Sequence, residues 1–97
     1  MTMVLVSDPI DQTGIAILSQ VAEVDVRTGL PPEDLKAIIG GYEGLMIRSG
    51  TQVTAEIIEA AERLRIIGRA GVGVDNVDVP AATRRGVLVG NSPEGNT

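Results

Sequence analysis

Five short apolar runs recur along the chain: MVLVS (residues 3–7), VDVR (24–27), LMIRS (45–49), LRIIGR (64–69) and VLVGN (87–91). Each is brief and built largely from Val, Ile and Leu, which suits strands buried on both faces of a parallel sheet. The four stretches between them carry apolar residues at helical spacing and are bracketed by helix punctuation. Asp8-Pro9 or Asp11 opens the first, which runs through Ile15 and Leu18 to about Gln20. Pro31-Pro32 and Glu33-Asp34 open the second: proline fits positions whose amides lack an intrahelical partner, and the acids face the positive end of the helix dipole. Leu35, Ile38 and Ile39 form its stripe and Gly40 ends it. In the third, Thr54 is a good N-cap and Glu56 sits in the first turn. Ile57, Ile58, Ala61 and Leu64 then share one face, with Glu59 and Arg63 paired at i, i+4 on the other. The fourth runs from Val79 to Arg85, with Asp78 as cap and Gly86 as stop.

Strand and helix therefore alternate as β-α-β-α-β-α-β-α-β, and right-handed crossovers turn this pattern into an α/β fold. The expected architecture is one domain over residues 1–97 with a flavodoxin-like parallel sheet of order 2-1-3-4-5. At 97 residues and 43% hydrophobic content, the chain is near the lower size at which such a sheet can be covered on both faces. Ligands of these sheets enter at the carboxyl ends of strands 1 and 3, where the strand order reverses. Such a fold normally closes with a fifth helix, whereas this chain stops six residues past its last strand, at NSPEGNT. Truncation before the final covering helix is the expectation, with one sheet face left bare and a homodimer formed through it.

The formal net charge is −5, and the largest basic cluster is the pair Arg84-Arg85, so a nucleic-acid partner is not expected. Tyr42 is the single aromatic, so the core must be aliphatic and base stacking has no platform. The absence of Cys and His removes thiol nucleophiles, disulfides, thiolate or imidazole zinc sites and imidazole acid–base chemistry from these residues. The N-terminus lacks a basic leader region, and no apolar run is long enough to span a membrane. The expected location is cytoplasmic.

The stretch GRAGVGVDNVD, Gly68 to Asp78, follows the fourth strand and packs three glycines into six residues from Gly68 to Gly73. A dinucleotide fingerprint needs G-x-G-x-x-G at the start of a long helix, but here the third position is Asn76 and the following helix is short. A Walker loop needs Gly-Lys-Ser/Thr, which is absent. What remains is a run of backbone amides, Gly71 to Val74, suited to a carboxylate or phosphate, unless the glycines serve only a tight turn. The acids of Asp75-Asn76-Val77-Asp78 lack calcium-loop spacing. Arg48 and Arg69 each end a buried strand at the same edge of the sheet and carry a fork suited to carboxylate or phosphate. Together with the amides they suggest a small dianion or trianion; the alternative is structural pairing with Asp8 or Asp75.

The stretches LMIRSGTQVTAEIIEAAERLRIIGRAGVGVDNVDVPAATRRGVLVGNSPEGNT and VLVSDPI closely resemble the amino-terminal part of the D-isomer-specific 2-hydroxyacid dehydrogenases, over essentially the whole chain. The resemblance implies a substrate-binding domain into which a Rossmann NAD domain is inserted, with a returning helix that completes the first domain. The cofactor fingerprint and the catalytic Arg, Glu and His would then lie beyond Thr97. It further implies that NAD serves the full-length parent and that this chain alone takes no cofactor and is inactive. Arg48, Ser49 and Arg69 match positions that contact a phosphorylated hydroxy acid, 3-phosphoglycerate, oxidised at C2 in serine biosynthesis. Val72, Gly73 and Val74 match the amide nest for the substrate carboxylate, with Val72 near the nicotinamide, and Asn96 matches a position near the domain junction. Three other readings are set beside this one. A phospho-receiver wants Asp and Lys where Arg48 and Asn91 stand, and flavodoxin wants a Ser/Thr-rich loop where Ser7-Asp8-Pro9 stands. An excised or engineered folding and association module would bind no ligand.

Overall fold

The computed structural model describes residues 2–70 and 76–92. In chain order it contains β1 (Met3–Val6), α1 (Gln12–Ser19), β2 (Glu23–Val26), α2 (Pro32–Ile38) with a 3-10 turn at Ile39–Gly41, and β3 (Gly44–Ile47). There follow α3 (Ala55–Ala60), β4 (Ile66–Ala70), α4 (Val79–Arg84) and β5 (Leu88–Ser92). The strands form one parallel sheet of order β2-β1-β3-β4-β5, as the alternation predicts.

Strand order and handedness together decide which helix covers which face. The first crossover steps from β1 to one side, and the next three step the other way. Right-handed crossovers therefore place α1 on one face and α2, α3 and α4 on the opposite one. On the three-helix face Leu5, Leu45 and Ile67 lie side by side in register, and with Ile47 they pack against Leu35, Ile39, Ile57, Ile58, Ala81 and Ala82. This is the main core. On the α1 face Val4 and Val6 are buried, but the in-register row Gly44, Ile66, Leu88 runs out from under the helix. Ile66 is 51% and Leu88 70% exposed. Gly68 on the same face has a packing role, since a Cβ there would stand 2.7 Å from Met46 Sδ.

The caps follow the sequence closely. Thr54 Oγ1 accepts from Ile57 N at 3.4 Å and Asp78 Oδ1 accepts from Ala81 N at 3.1 Å. Gly86 takes φ +72°, a left-handed conformation that ends α4 without the strain another residue would meet. Of the two openings considered for α1, Asp11 is the cap, accepting from Thr13 N at 3.3 Å. Asp8 lies elsewhere.

One expectation is corrected. The third helix ends at Ala60, and Ala61 leaves the helix with ψ 72°, so Glu59 and Arg63 do not share a helical surface. The carbonyls of Ile58 and Glu59, which further helical amides would have used, accept from Arg85 Nη1 at 3.4 and 3.2 Å. Ala61 and Leu64 still reach the core, but from the turn that carries the chain into β4. Glu56 pairs instead with Lys36 of α2, at 3.7 Å between exposed side chains.

Tyr42 closes the edge of the sheet, its hydroxyl donating to Asp25 Oδ2 of β2 at 2.6 Å. Its pKa is raised, chiefly by burial, with the hydrogen bond to Asp25 and the charge of Asp25 adding to the effect and Arg27 opposing it. A phenol that holds its proton more tightly when folded stabilises fully below the unfolded value, and the contribution is lost as pH rises through the folded one. Stability is therefore expected to fall above about pH 10, and Tyr42→Phe to remove that dependence while costing about 1 kcal/mol at neutral pH. Urea unfolding at a series of pH values checks both.

Candidate anion-binding site

The carboxyl ends of β1, β3 and β4 bring three loops together where the strand order reverses. Arg69 lies in β4, opposite Ile47 in register, and Arg48 and Ser49 follow Ile47 directly, so the two arginines leave neighbouring strands at the same end. Both guanidinium-bearing residues are half-buried and Ser49 is exposed.

The loop that carries Arg48 and Ser49 is tied down by residues from both adjoining loops. Asp8, only 7% exposed, follows β1 and points its carboxylate at this loop: Oδ2 accepts from Arg48 N at 2.8 Å and from Thr51 N at 2.9 Å. A carboxylate is an acceptor without protons of its own, and charge-assisted bonds to amides are the stronger kind. Gly50 is required between them, because a Cβ there would stand 2.8 Å from Asp8 Oδ1. The Ser7 and Thr51 hydroxyls share a bond of 2.9 Å.

From the other side Asn76 donates through Nδ2 to Arg48 O at 2.6 Å and to Thr51 O at 2.7 Å. Its own backbone joins a one-residue parallel bridge between Val53 and Val77, in which Val53 N donates to Asn76 O and Asp78 N to Val53 O, both at 2.9 Å. Asp8 thus meets Arg48 at its backbone amide, a contact different from the side-chain salt bridge that the sequence alternative considered.

The site residues Val72, Gly73, Val74 and Asn96 lie outside the described residues, whereas Arg48, Ser49 and Arg69 are brought to one edge. Sequence reasoning missed Gly50, Thr51 and Asn76 as parts of the site, and considered Asp8 only as a structural salt-bridge partner of the arginines. The signal for Asn76 was present in the place where the glycine fingerprint breaks.

Chemically, the arrangement suits anion recognition. Two arginines stand at the carboxyl ends of neighbouring strands, and the chain has no His or Cys to move a proton or form a covalent bond. Among the described residues no cluster of acids could hold a metal ion, and no helix is long and apolar enough to cross a membrane. The residues do not fit a dinucleotide. At the third fingerprint position the Asn76 side chain is buried and committed to two carbonyls. The six-residue α4 that follows is capped by the Asp78 side chain, which puts a carboxylate where a pyrophosphate would have to approach.

A family model for the D-isomer specific 2-hydroxyacid dehydrogenase catalytic domain matches residues 4–97. The chain belongs to that family. It is 63% identical over 97 residues to D-3-phosphoglycerate dehydrogenase of Synechocystis sp., covering 100% of this chain and 18% of that protein. It is 50% identical over 97 residues to the protein of the same name in Methanocaldococcus jannaschii, again covering 100% of this chain and 18% of the relative. Among solved structures, a Pyrococcus horikoshii protein matches with TM-score 0.91 at 32% identity, over 95% of this chain and 28% of its own. The NAD+-bound 3-phosphoglycerate dehydrogenase of Entamoeba histolytica matches with TM-score 0.85 at 30% identity, over 95% of this chain and 33% of its own. The chain thus spans about 18% of the length of these curated relatives.

Proposed function

We propose that residues 1–97 form the amino-terminal, substrate-binding segment of a cytoplasmic, NAD-dependent D-3-phosphoglycerate dehydrogenase of serine biosynthesis. In this reading Arg48, Ser49 and Arg69 hold the phosphate of 3-phosphoglycerate, and the amides of Val72, Gly73 and Val74 hold its carboxylate. Val72 lies nearest the nicotinamide, and Asn96 stands toward the junction with the cofactor domain. The observation that carries the reading is the placement of Arg48 and Arg69 at the carboxyl ends of neighbouring strands, beside the reversal of strand order. The 63% identity to a D-3-phosphoglycerate dehydrogenase supports the choice of ligand. NAD and the groups that take the proton belong to a Rossmann domain elsewhere in the polypeptide, so this chain contributes recognition and orientation.

Two measurements test the proposal. Calorimetric titration of the chain with 3-phosphoglycerate is expected to show saturable binding that weakens with salt, because the contacts are charge pairs at a partly open crevice. Incubation with NAD and 3-phosphoglycerate is expected to yield no NADH above background, and turnover would overturn the assigned division of labour.

The exposed row of Ile66 and Leu88 supports a second copy of the chain as the partner on the α1 face. Sedimentation at micromolar concentration is expected to give a dimer, and Leu88→Lys a monomer with the same secondary structure. A monomeric wild type would contradict this assignment.

A further inference from the structure

Arg48 and Thr51 are held in the same way at both ends of their loop: the N–H of each goes to Asp8 and the C=O of each goes to Asn76. These two residues frame Ser49 and Gly50, so the loop hangs between a carboxylate from one neighbouring loop and a carboxamide from the other. Because both partners of Asn76 Nδ2 are carbonyls, the orientation of the amide is fixed by what it meets. Asn76 Oδ1 is buried and has no hydrogen-bond partner among the described residues. An interior acceptor left unpaired is unfavourable, which argues that the residue is there for its two donors.

Asn76 also follows the glycine stretch Gly71–Asp75 immediately. We infer that Asn76, assisted by Asp8, is a positioning residue that fixes the backbone of the Arg48–Thr51 loop, and with it the Arg48 and Ser49 that the proposed function gives to the phosphate, and so selects phosphorylated over unphosphorylated ligands. This rests on the assignment of Arg48 and Ser49 to the phosphate. Only a carboxamide of this length serves: aspartate would turn an oxygen toward two carbonyls, and alanine would release both.

The test compares the wild type with Asn76→Ala, Asn76→Asp, Asp8→Asn and Arg48→Gln. Two quantities are read, the hydrogen-exchange protection of the Arg48 and Thr51 amides and the ratio of dissociation constants for D-glycerate and 3-phosphoglycerate. Both Asn76 variants are expected to keep dispersed sheet resonances, to lose at least about tenfold in protection at those amides, and to lower the ratio at least about tenfold. Asp8→Asn retains an acceptor oxygen and is expected to keep most of both.

Unchanged protection or an unchanged ratio in both Asn76 variants would overturn the inference. So would collapse of the whole spectrum in both, since that assigns the residue to the sheet rather than to the loop. Arg48→Gln separates this inference from the reading beneath it. If it leaves the ratio unchanged, the phosphate assignment fails, while the exchange data still decide whether Asn76 orders the loop.

Discussion

Ile58→Ala is expected to lower the unfolding free energy by about 2–5 kcal/mol, a large share of the roughly 5–15 kcal/mol that keeps a small domain folded. Ile58 is fully buried in the cluster where α3 meets the three-helix face of the sheet. Truncation removes the transfer free energy of the lost methyl and methylene groups and leaves a cavity. With one aromatic in the whole chain, the surrounding Leu, Ile and Val side chains have little bulk with which to fill it. The control lies on the other face: Ile66, 51% exposed, should cost about 1 kcal/mol or less when cut to alanine, because much of it is already in water. Urea unfolding of the two variants measures the contrast, and equal losses would contradict the assignment of the core to the three-helix face.

Arg69→Gln is expected to weaken binding of 3-phosphoglycerate by about 10–100-fold. A hydrogen bond to a charged group contributes about 1.5–3 kcal/mol, and each 1.4 kcal/mol is roughly tenfold in affinity. Arg69 lies near the carboxyl end of β4, in register with Ile47, the residue that precedes Arg48 on the neighbouring strand. Glutamine keeps some polarity but is shorter and loses the charge and the fork. Arg69→Lys should recover part of the affinity, since it restores charge without the paired donors. Titration calorimetry at two ionic strengths reads the loss and shows whether the lysine variant is the more salt-sensitive.

Much of the fold is legible from residues 3–91 because short-range patterns carry it. The alternation of apolar runs with capped segments gives the element order, the flavodoxin-like pattern that this order suits gives the strand order, and the lack of a fifth helical segment gives the thinly covered face. Caps such as Thr54 and Asp78 are read directly because the bond spans three residues. Apolar spacing misleads at the end of α3, where Leu64 satisfies a helical stripe and yet reaches the core from a turn. Periodicity records which residues are buried, and a turn can bury one as well as a helix can.

The arginines of the site are legible because each ends a strand, and chain direction then places both at one edge. Their supports are not. Asp8 reaches Arg48 across 40 residues and Asn76 reaches it across 28, so no local pattern distinguishes either from an ordinary loop residue. Asp8 has the composition of a helix opener and Asn76 that of a failed glycine. Their roles emerge only when three loops meet.

The most direct test of the central claim is an amide NMR titration of the chain with 3-phosphoglycerate. Saturable shifts are expected, concentrated at Arg48–Thr51 and from Arg69 through Asp75, with the amides of α1 and of the Ile66–Leu88 row unmoved. A flat titration on a well-dispersed spectrum would contradict that claim, and would leave these residues as a folding and association unit without ligand recognition of their own.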